Sequence, residues 1–543
     1  MADQLWLKNY PVRWNLDYPV ISLYDYMKKT TTQYPDLVAL VFFGNEITYR
    51  EMQENIDRIA GALADMGVQK GDRVALMLPN CPQYVYTYYA CMKLGAVVVQ
   101  MNPLYTPKEV EFILNDSGAQ IFFGVDAVFA SFHAVRDQVP VERVIVARML
   151  WTEVEGENLW FEDLLQQYSP DSPRAEIDPK EDIAVFQYTG GTTGFPKAVM
   201  LTHFNLTANV TQIKEWLKDW IDEKFGRGIT QYYGIGILPF FHSYGMTCVM
   251  NTGLTLPSGQ VLVPRFDVDV LLELIKQYKP SLFPAVPTIY TAIANHPEAD
   301  QYNIDAVEIC NSGAAPMPVD VMARFEERTG SKMLEGYGLS EASPVTHCNP
   351  LVGERKPGSI GMPYPDTQCR IVDLETGARE LPPGEEGELI IKGPQVMKGY
   401  WNRPEETAET LRDGWLYTGD IAKMDQDGYF YIVDRKKDMV ITGGYNVYPR
   451  EVDEVLFEHP KVAEVVSAGI PDSYYGEVIK AYVVLKDGIT ATEQELLDFC
   501  ADKLARYKVP RAIEFRAELP KSAVGKLLRR VLVEEEKAKK EQA

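Results

Sequence analysis

Thr-Gly-Gly-Thr-Thr-Gly-Phe-Pro-Lys, residues 189–197, follows the apolar run 183–186 after two residues, so a strand leads into a loop of glycines, hydroxyls and one lysine. Such a composition suits phosphate. Gly190, Gly191 and Gly194 let backbone N–H groups turn toward an anion, Thr189, Thr192 and Thr193 add hydroxyl donors, and Lys197 adds a point charge. A Walker A loop needs Gly-Lys-Ser/Thr at its end, whereas this one ends Pro196-Lys197-Ala198, and a helix does not start at a lysine directly behind proline. A P-loop NTPase is therefore not expected. A surface turn rich in glycine and threonine has the same composition, and the loop alone does not separate the two readings.

A chain of 543 residues exceeds what one hydrophobic core organises, so at least two domains are expected. The net charge of −23 repels phosphate backbones on average and argues against nucleic acid as a partner. Seven scattered cysteines, without a Cys-x-x-Cys pair or clustered histidines, suggest neither a disulfide framework nor a zinc site, and a reducing cytoplasm is the expected setting. Residues 1–20 lack the continuous apolar core of a secretory signal. From Gly228 to Pro264 there is no Asp, Glu, Lys or Arg, yet Gly234, Gly236, Pro239, His242, Gly245, Asn251 and Gly253 interrupt the stretch too often for a membrane span. Buried interior is expected there, of a kind that lines a pocket for a long apolar ligand.

Thr48 with Glu51 forms a capping-box pattern, followed by Met52, Ile56, Ile59, Leu63 and Met66 at helical spacing and closed by Gly67. Strand-like runs follow at 73–78, 96–100 and 121–124, alternating with helical patterns, and this alternation predicts an α/β fold with mainly parallel, covered sheets. Beyond Pro382-Pro383-Gly384 the texture becomes β-rich, with short runs at 388–392, 429–433 and 439–442. A strand at 481–485 and a helix capped by Thr492 complete a compact last unit, and the charged tail 534–543 is expected to fray.

Four further segments carry chemistry. In residues 334–341, Leu-Glu-Gly-Tyr-Gly-Leu-Ser-Glu, Tyr337 offers a ring for a purine and Glu341 a carboxylate for magnesium, although a Gly-rich turn with a Ser-Glu cap reads the same way. In Tyr417-Thr-Gly-Asp420 the carboxylate suits ribose hydroxyls, or is an ordinary turn aspartate. The run Asp434-Arg-Lys-Lys-Asp438 sits where composition shifts and reads as a hinge or as a solvated charge run. Residues 520–526, Pro-Lys-Ser-Ala-Val-Gly-Lys, present Lys526 on a turn.

Taken in order with Ser312-Gly-Ala-Ala-Pro316, these segments resemble the adenylate-forming superfamily of acyl-CoA synthetases, luciferases and peptide-synthetase adenylation domains. The likeness covers nearly the whole chain. Trp6-Leu-Lys-Asn-Tyr-Pro11 and residues 238–245, Leu-Pro-Phe-Phe-His-Ser-Tyr-Gly, are most similar to bacterial or archaeal long-chain fatty-acid–CoA ligases. Two departures are visible: Ala198 replaces the usual glycine after the lysine, and Ser340 a common threonine.

The resemblance implies a large N-terminal domain, 1–434, of αβ-layered subdomains plus a β-rich subdomain, a hinge at 435–437, and a small mobile α+β domain, 438–543. It implies ATP, Mg²⁺ and coenzyme A as co-substrates and cofactor, a fatty acid as the acceptor of AMP, and two steps: acyl-AMP with pyrophosphate, then acyl transfer to the CoA thiol. By the same resemblance the loop from Thr189 to Lys197 holds phosphates, Glu341 with Thr189 positions Mg²⁺, and Gly313, Ala314, Ala315, Glu335, Gly336, Tyr337, Gly338 and Ser340 contact the nucleotide. Asp420, Val433 and Arg435 border the ribose, Lys526 bridges carboxylate and phosphate, His242 borders the acid's carboxylate, and Lys437 is the pivot that brings Gly443, Gly444 and Tyr445 toward CoA. Peripheral membrane contact and a homodimer are compatible with it. Two other functions stay open: an aryl or short-chain acid–CoA ligase, and a non-catalytic acyl- or membrane-binding protein.

Overall fold

The computed structural model describes residues 4–150, 154, 156, 158–189, 196–228, 230–442, 445–472, 475–522 and 527–542. Among them the strands form four sheets. The eight-stranded sheet has a parallel centre in which Val97–Gln100, Arg73–Met77 and Ile121–Val125 lie side by side. Every residue of Val97–Gln100 and Ile121–Val125 is buried, the pattern of strands covered on both faces. At one edge the sheet turns antiparallel: Ile183–Thr189 pairs with Lys197–Thr202, which pairs in turn with the short strand Gly399–Tyr400. The nine-stranded sheet likewise places Ser258–Leu262, Tyr232–Gly236, Leu282–Ala285, Ile309–Ser312 and Lys332–Gly338 in parallel, with antiparallel edges. One apolar core runs through both sheets and the helices between them.

Helix ends follow the local signals. Tyr49–Asp65 starts on the reciprocal Thr48–Glu51 capping box, and Pro107–Ser117 starts on a second box, Thr106 with Glu109, and ends on Gly118 in the left-handed region. The charge-free stretch lies inside: Tyr232–Gly236, the wide π-helical turn Gly245–Asn251 and Ser258–Leu262 are mostly buried. Among the described residues no helix is long and apolar enough to cross a membrane.

The third sheet pairs Gln368–Val372, Gly387–Lys392, Trp415–Met424 and Phe430–Arg435, and its core includes the buried Trp6 from the chain's start. The last sheet joins Val440–Thr442, Tyr445–Val447, Val462–Asp472, Gly476–Leu485 and Ala512–Phe515 around a separate apolar cluster. This is the expected architecture of α/β layers, a β-rich unit and a small α+β unit. The tail departs from expectation: 534–543 belongs largely to the helix Arg529–Gln542, held down by Lys480 with Glu536 and Arg516 with Glu535. All seven cysteines are unpaired; six are buried and Cys248 is half-buried. Burial pushes each thiol up, Cys500 to about 11.

Candidate active site

The strand Lys332–Gly338 positions the centre of the site. Its end runs close against the partner strand: a Cβ on Gly338 would stand 2.3 Å from the carbonyl oxygen of Pro344, so only glycine fits. The segment 334–341, for which a Gly-rich turn is one of two readings left open by the sequence, is strand up to Gly338, followed by a short turn, Ser340–Ala342. Tyr337 pairs with His347, whose ring packs behind it at 5.9 Å.

The Tyr337 hydroxyl donates to Asp420 Oδ2 at 2.5 Å, and Arg435 Nε lies 3.2 Å from Asp420 Oδ1. Asp420 is 4% exposed and pairs across the sheet with Arg435. The segment read as a turn is here a kinked strand: Gly419, at φ 69°, bulges within Trp415–Met424. Burial and the Asp420 charge raise the Tyr337 phenol well above its ordinary value, so it remains a donor. Val433 lies half-buried on the strand Phe430–Arg435, and Lys437 follows in the turn closed by Asp438 N–H donating to the Arg435 carbonyl. Burial first, then Arg435, lowers the Lys437 ammonium.

Glu341 marks the other end. Its Oε1 accepts from the Tyr400 hydroxyl at 2.8 Å, and the ammonium of Lys197 sits 5.2 Å above the same tyrosine ring. Thr189 and Lys197 face each other across the hairpin, closing the neck of the loop between them. Sequence reasoning missed Tyr400, which carries no charge and follows a lone glycine. The signal was the company it keeps in the strand register, which sequence alone does not display.

A third group surrounds His242. His242 Nδ1 accepts from Tyr244 N–H at 3.2 Å, so a neutral ring carries its proton on Nε2. The Tyr244 hydroxyl donates to Asn311 Oδ1 at 2.5 Å, and a Cβ on Gly313 would meet the Tyr244 ring at 3.1 Å. Ala314 takes a positive φ of 66° and is exposed, with Ala315 half-buried beside it. Ser340 Oγ approaches Ser243 Oγ at 3.4 Å. Behind Asn311 lies an apolar cavity lined by Trp216, Ile235, Cys248, Val249, Leu282 and Phe283, among others.

Glu335 does not join these groups. Its carboxyl is buried, Oε1 accepts from Met317 N–H at 3.4 Å and Oε2 has no partner among the described residues. Burial pushes its pKa up to about 7 against the opposing pull of Arg450. Gly336 is a backbone position opposite Cys348. Gly190, Gly191, Thr192, Thr193, Gly194, Gly443, Gly444 and Lys526 lie outside the described residues, as does the side chain of Tyr445.

Residues 27–401 match the model of the AMP-binding enzyme family and residues 451–526 that of the AMP-binding enzyme C-terminal domain. The chain belongs to the AMP-binding enzymes. Among curated members of the family, a long-chain-fatty-acid–CoA ligase of Bacillus subtilis is 46% identical, with 98% of each chain covered. The crystal structure of ATP-bound MatB from Rhodopseudomonas palustris is similar at a TM-score of 0.84 and 30% identity, over 95% of this chain and 99% of that one. The anthranilate CoA ligase AuaEII in complex with anthranoyl-AMP is similar at 0.88 and 26%, over 96% and 99%.

Proposed function

We propose that the protein is an ATP-dependent fatty-acid–CoA ligase acting on medium or long chains through an acyl-adenylate. The observation that carries the reading is the two-ended cradle built on one short segment. Tyr337, held to Asp420 and Arg435, offers the adenine and ribose end, and Glu341, four residues on and tied through Tyr400 to Lys197, offers the phosphate end. The near-full-length likeness to a long-chain ligase supports the acid, as does the apolar cavity next to Asn311.

A carboxylate is a poor acyl donor because its charge is delocalised and oxide is a poor leaving group. In the first step its oxygen attacks the α-phosphorus of ATP, the bond to the bridging oxygen breaks, and pyrophosphate leaves. The protein contributes position and charge neutralisation. In this reading Lys197 and the loop threonines bind the phosphates, Asp420 accepts the ribose hydroxyls, and Lys526 neutralises charge between carboxylate and phosphate. Glu341 is a hard oxygen donor at the phosphate end, and among the described residues no three His, Cys, Asp or Glu could hold a metal by themselves. That donor set fits magnesium carried on the triphosphate, with Glu341 and Thr189 completing its shell; the ion would supply neutralisation of phosphate charge. In the second step the CoA thiol loses its proton, sulfur attacks the acyl carbonyl, and AMP departs.

Both steps use one carbonyl from two directions. We assign residues 1–434 and 438–543 to two lobes and the turn 435–437 to the hinge, with Lys437 as pivot and Tyr445 on the face presented to CoA. The test is nucleotide product analysis with Mg²⁺, CoA and a panel of acids. AMP and pyrophosphate are expected, with preference for chains of medium or greater length. ADP as product would sink the adenylation step, and equal or better turnover of aryl or short acids would sink the fatty-acid assignment.

A further inference from the structure

Tyr400 touches both charged groups of the phosphate end. Its hydroxyl donates to Glu341 Oε1, its ring lies under the Lys197 ammonium, and it is 8% exposed. The backbone around it holds the same two neighbours. Met397 N–H donates to the Glu341 carbonyl at 2.8 Å, while Lys398 and Trp401 N–H donate to Met200 and Ala198, beside Lys197, at 3.0 and 2.9 Å. Tyr400 N–H is itself fixed on Thr407 Oγ1 at 2.9 Å. Lys197 and Glu341 share this neighbour but no ion pair joins them.

An ammonium and a carboxylate in such proximity attract, and a direct pair would consume both charges before any ligand arrived. A phenol between them answers each separately: the hydroxyl donates to the carboxylate and the electron-rich ring face attracts the ammonium. With Oε1 engaged, Glu341 presents its other oxygen, which suits a cation that takes single carboxylate oxygens in a tight octahedral shell. We propose that Tyr400 is the positioning residue of the phosphate end, keeping Glu341 as a one-oxygen metal ligand and Lys197 as an unpaired phosphate-binding charge. This rests on the reading of the site as one for metal-bound ATP.

The experiment uses the full chain with ATP and Mn²⁺ and without acid, so that nothing turns over, and follows free Mn²⁺ by electron paramagnetic resonance. Tyr400→Phe keeps the ring and loses the hydroxyl. It should weaken Mn²⁺ binding in the presence of ATP by about tenfold or more, while ATP binding in EDTA stays within about twofold of wild type. Tyr400→Leu should weaken both. In a Glu341→Gln background Tyr400→Phe should cost the metal nothing further. Wild-type protein that fails to bind Mn²⁺ with ATP sinks the nucleotide reading; wild type that binds, with Tyr400→Phe equal to it, sinks only the role of Tyr400. Should the phenylalanine variant not fold, Tyr400→His decides: its ring and N–H donor must keep metal affinity nearer to wild type than to Tyr400→Leu, and equality with the leucine variant overturns the proposal.

Discussion

Asp420 gathers two donors on one buried carboxylate, and under the proposed function the same oxygens accept the ribose hydroxyls. Asp420→Asn replaces a charged acceptor by a neutral amide, which should raise the KM for ATP about ten- to a hundredfold in pyrophosphate exchange. Discrimination between ATP and 2′-deoxy-ATP should shrink with it; an unchanged ratio would remove Asp420 from the ribose. Glu335 makes a different prediction. Its native pKa is raised from 4.5 to about 7, so between those values the folded protein keeps a proton that the unfolded chain has released. Stability therefore falls as pH rises through this window. Glu335→Gln removes the ionisation and should be more stable than wild type at pH 8, by up to about 3 kcal/mol, with that advantage gone near pH 4.5. Urea midpoints at the two pH values measure it. Tyr337, Asp420 and Arg435 stand out in the sequence for their chemistry, and the structure brings the three together. The burial of Glu335 is not legible there, since a glutamate between leucine and glycine looks the same on a surface as in a core.

Among elements, glycine at the end of Lys332–Gly338 and the cap of Tyr49–Asp65 separate function from stability. Gly338→Ala forces a methyl against the Pro344 carbonyl and must part the two strands that carry Tyr337 and the Glu341 turn. Overpacking of this sort costs about 1–3 kcal/mol, and ATP binding should weaken together with the loss in melting temperature. Thr48→Ala removes a helix cap worth about 1 kcal/mol, far along the chain from the site. It should lower the melting temperature and leave the KM for ATP alone; a parallel loss of ATP affinity in both variants would show that the site merely follows global stability. The capping box and the apolar strands were readable because their signals are local. Tyr417–Asp420 was read as a turn because Gly-Asp marks turns, whereas pairing on both sides absorbs Gly419 as a bulge. The charges of the tail suggest solvation and fraying, whereas their partners, Lys480 and Glu514 on strands and Arg516 just past one, are brought in by the fold.

For the molecule as a whole, Asp434 ties the strand Phe430–Arg435 to the last unit. This buried carboxylate accepts from Arg450 N–H at 3.0 Å and from Arg529, which also reaches Asp438 and Asp453. Any turning about 435–437 must exchange the Asp434 contacts while Arg529 keeps Asp453 and the Ser467 carbonyl within the last unit. Length and composition point to more than one unit, whereas the meeting of Asp434, Asp453 and Arg529 depends on bringing distant residues together in space. Replacing Arg529 with Met leaves three carboxylates facing one another without their cation, a strongly destabilising change for buried charge. The loss of stability should fall on the smaller unit and on its seam at Asp434, and leave the core of the larger unit intact.

The buried cysteines give that statement a clock. Because burial raises every thiol, almost no thiolate exists in the native protein near neutral pH, and at the six buried sulfurs a disulfide reagent can react only when a segment opens. Cys500 alone belongs to the smaller core, and the other six sulfurs report on the larger unit. Modification followed by mass spectrometry should accordingly show Cys500 reacting in a phase of its own, accelerated in Arg529→Met while the remaining phase keeps its rate. A single shared phase in both proteins would mean that the chain opens as one body.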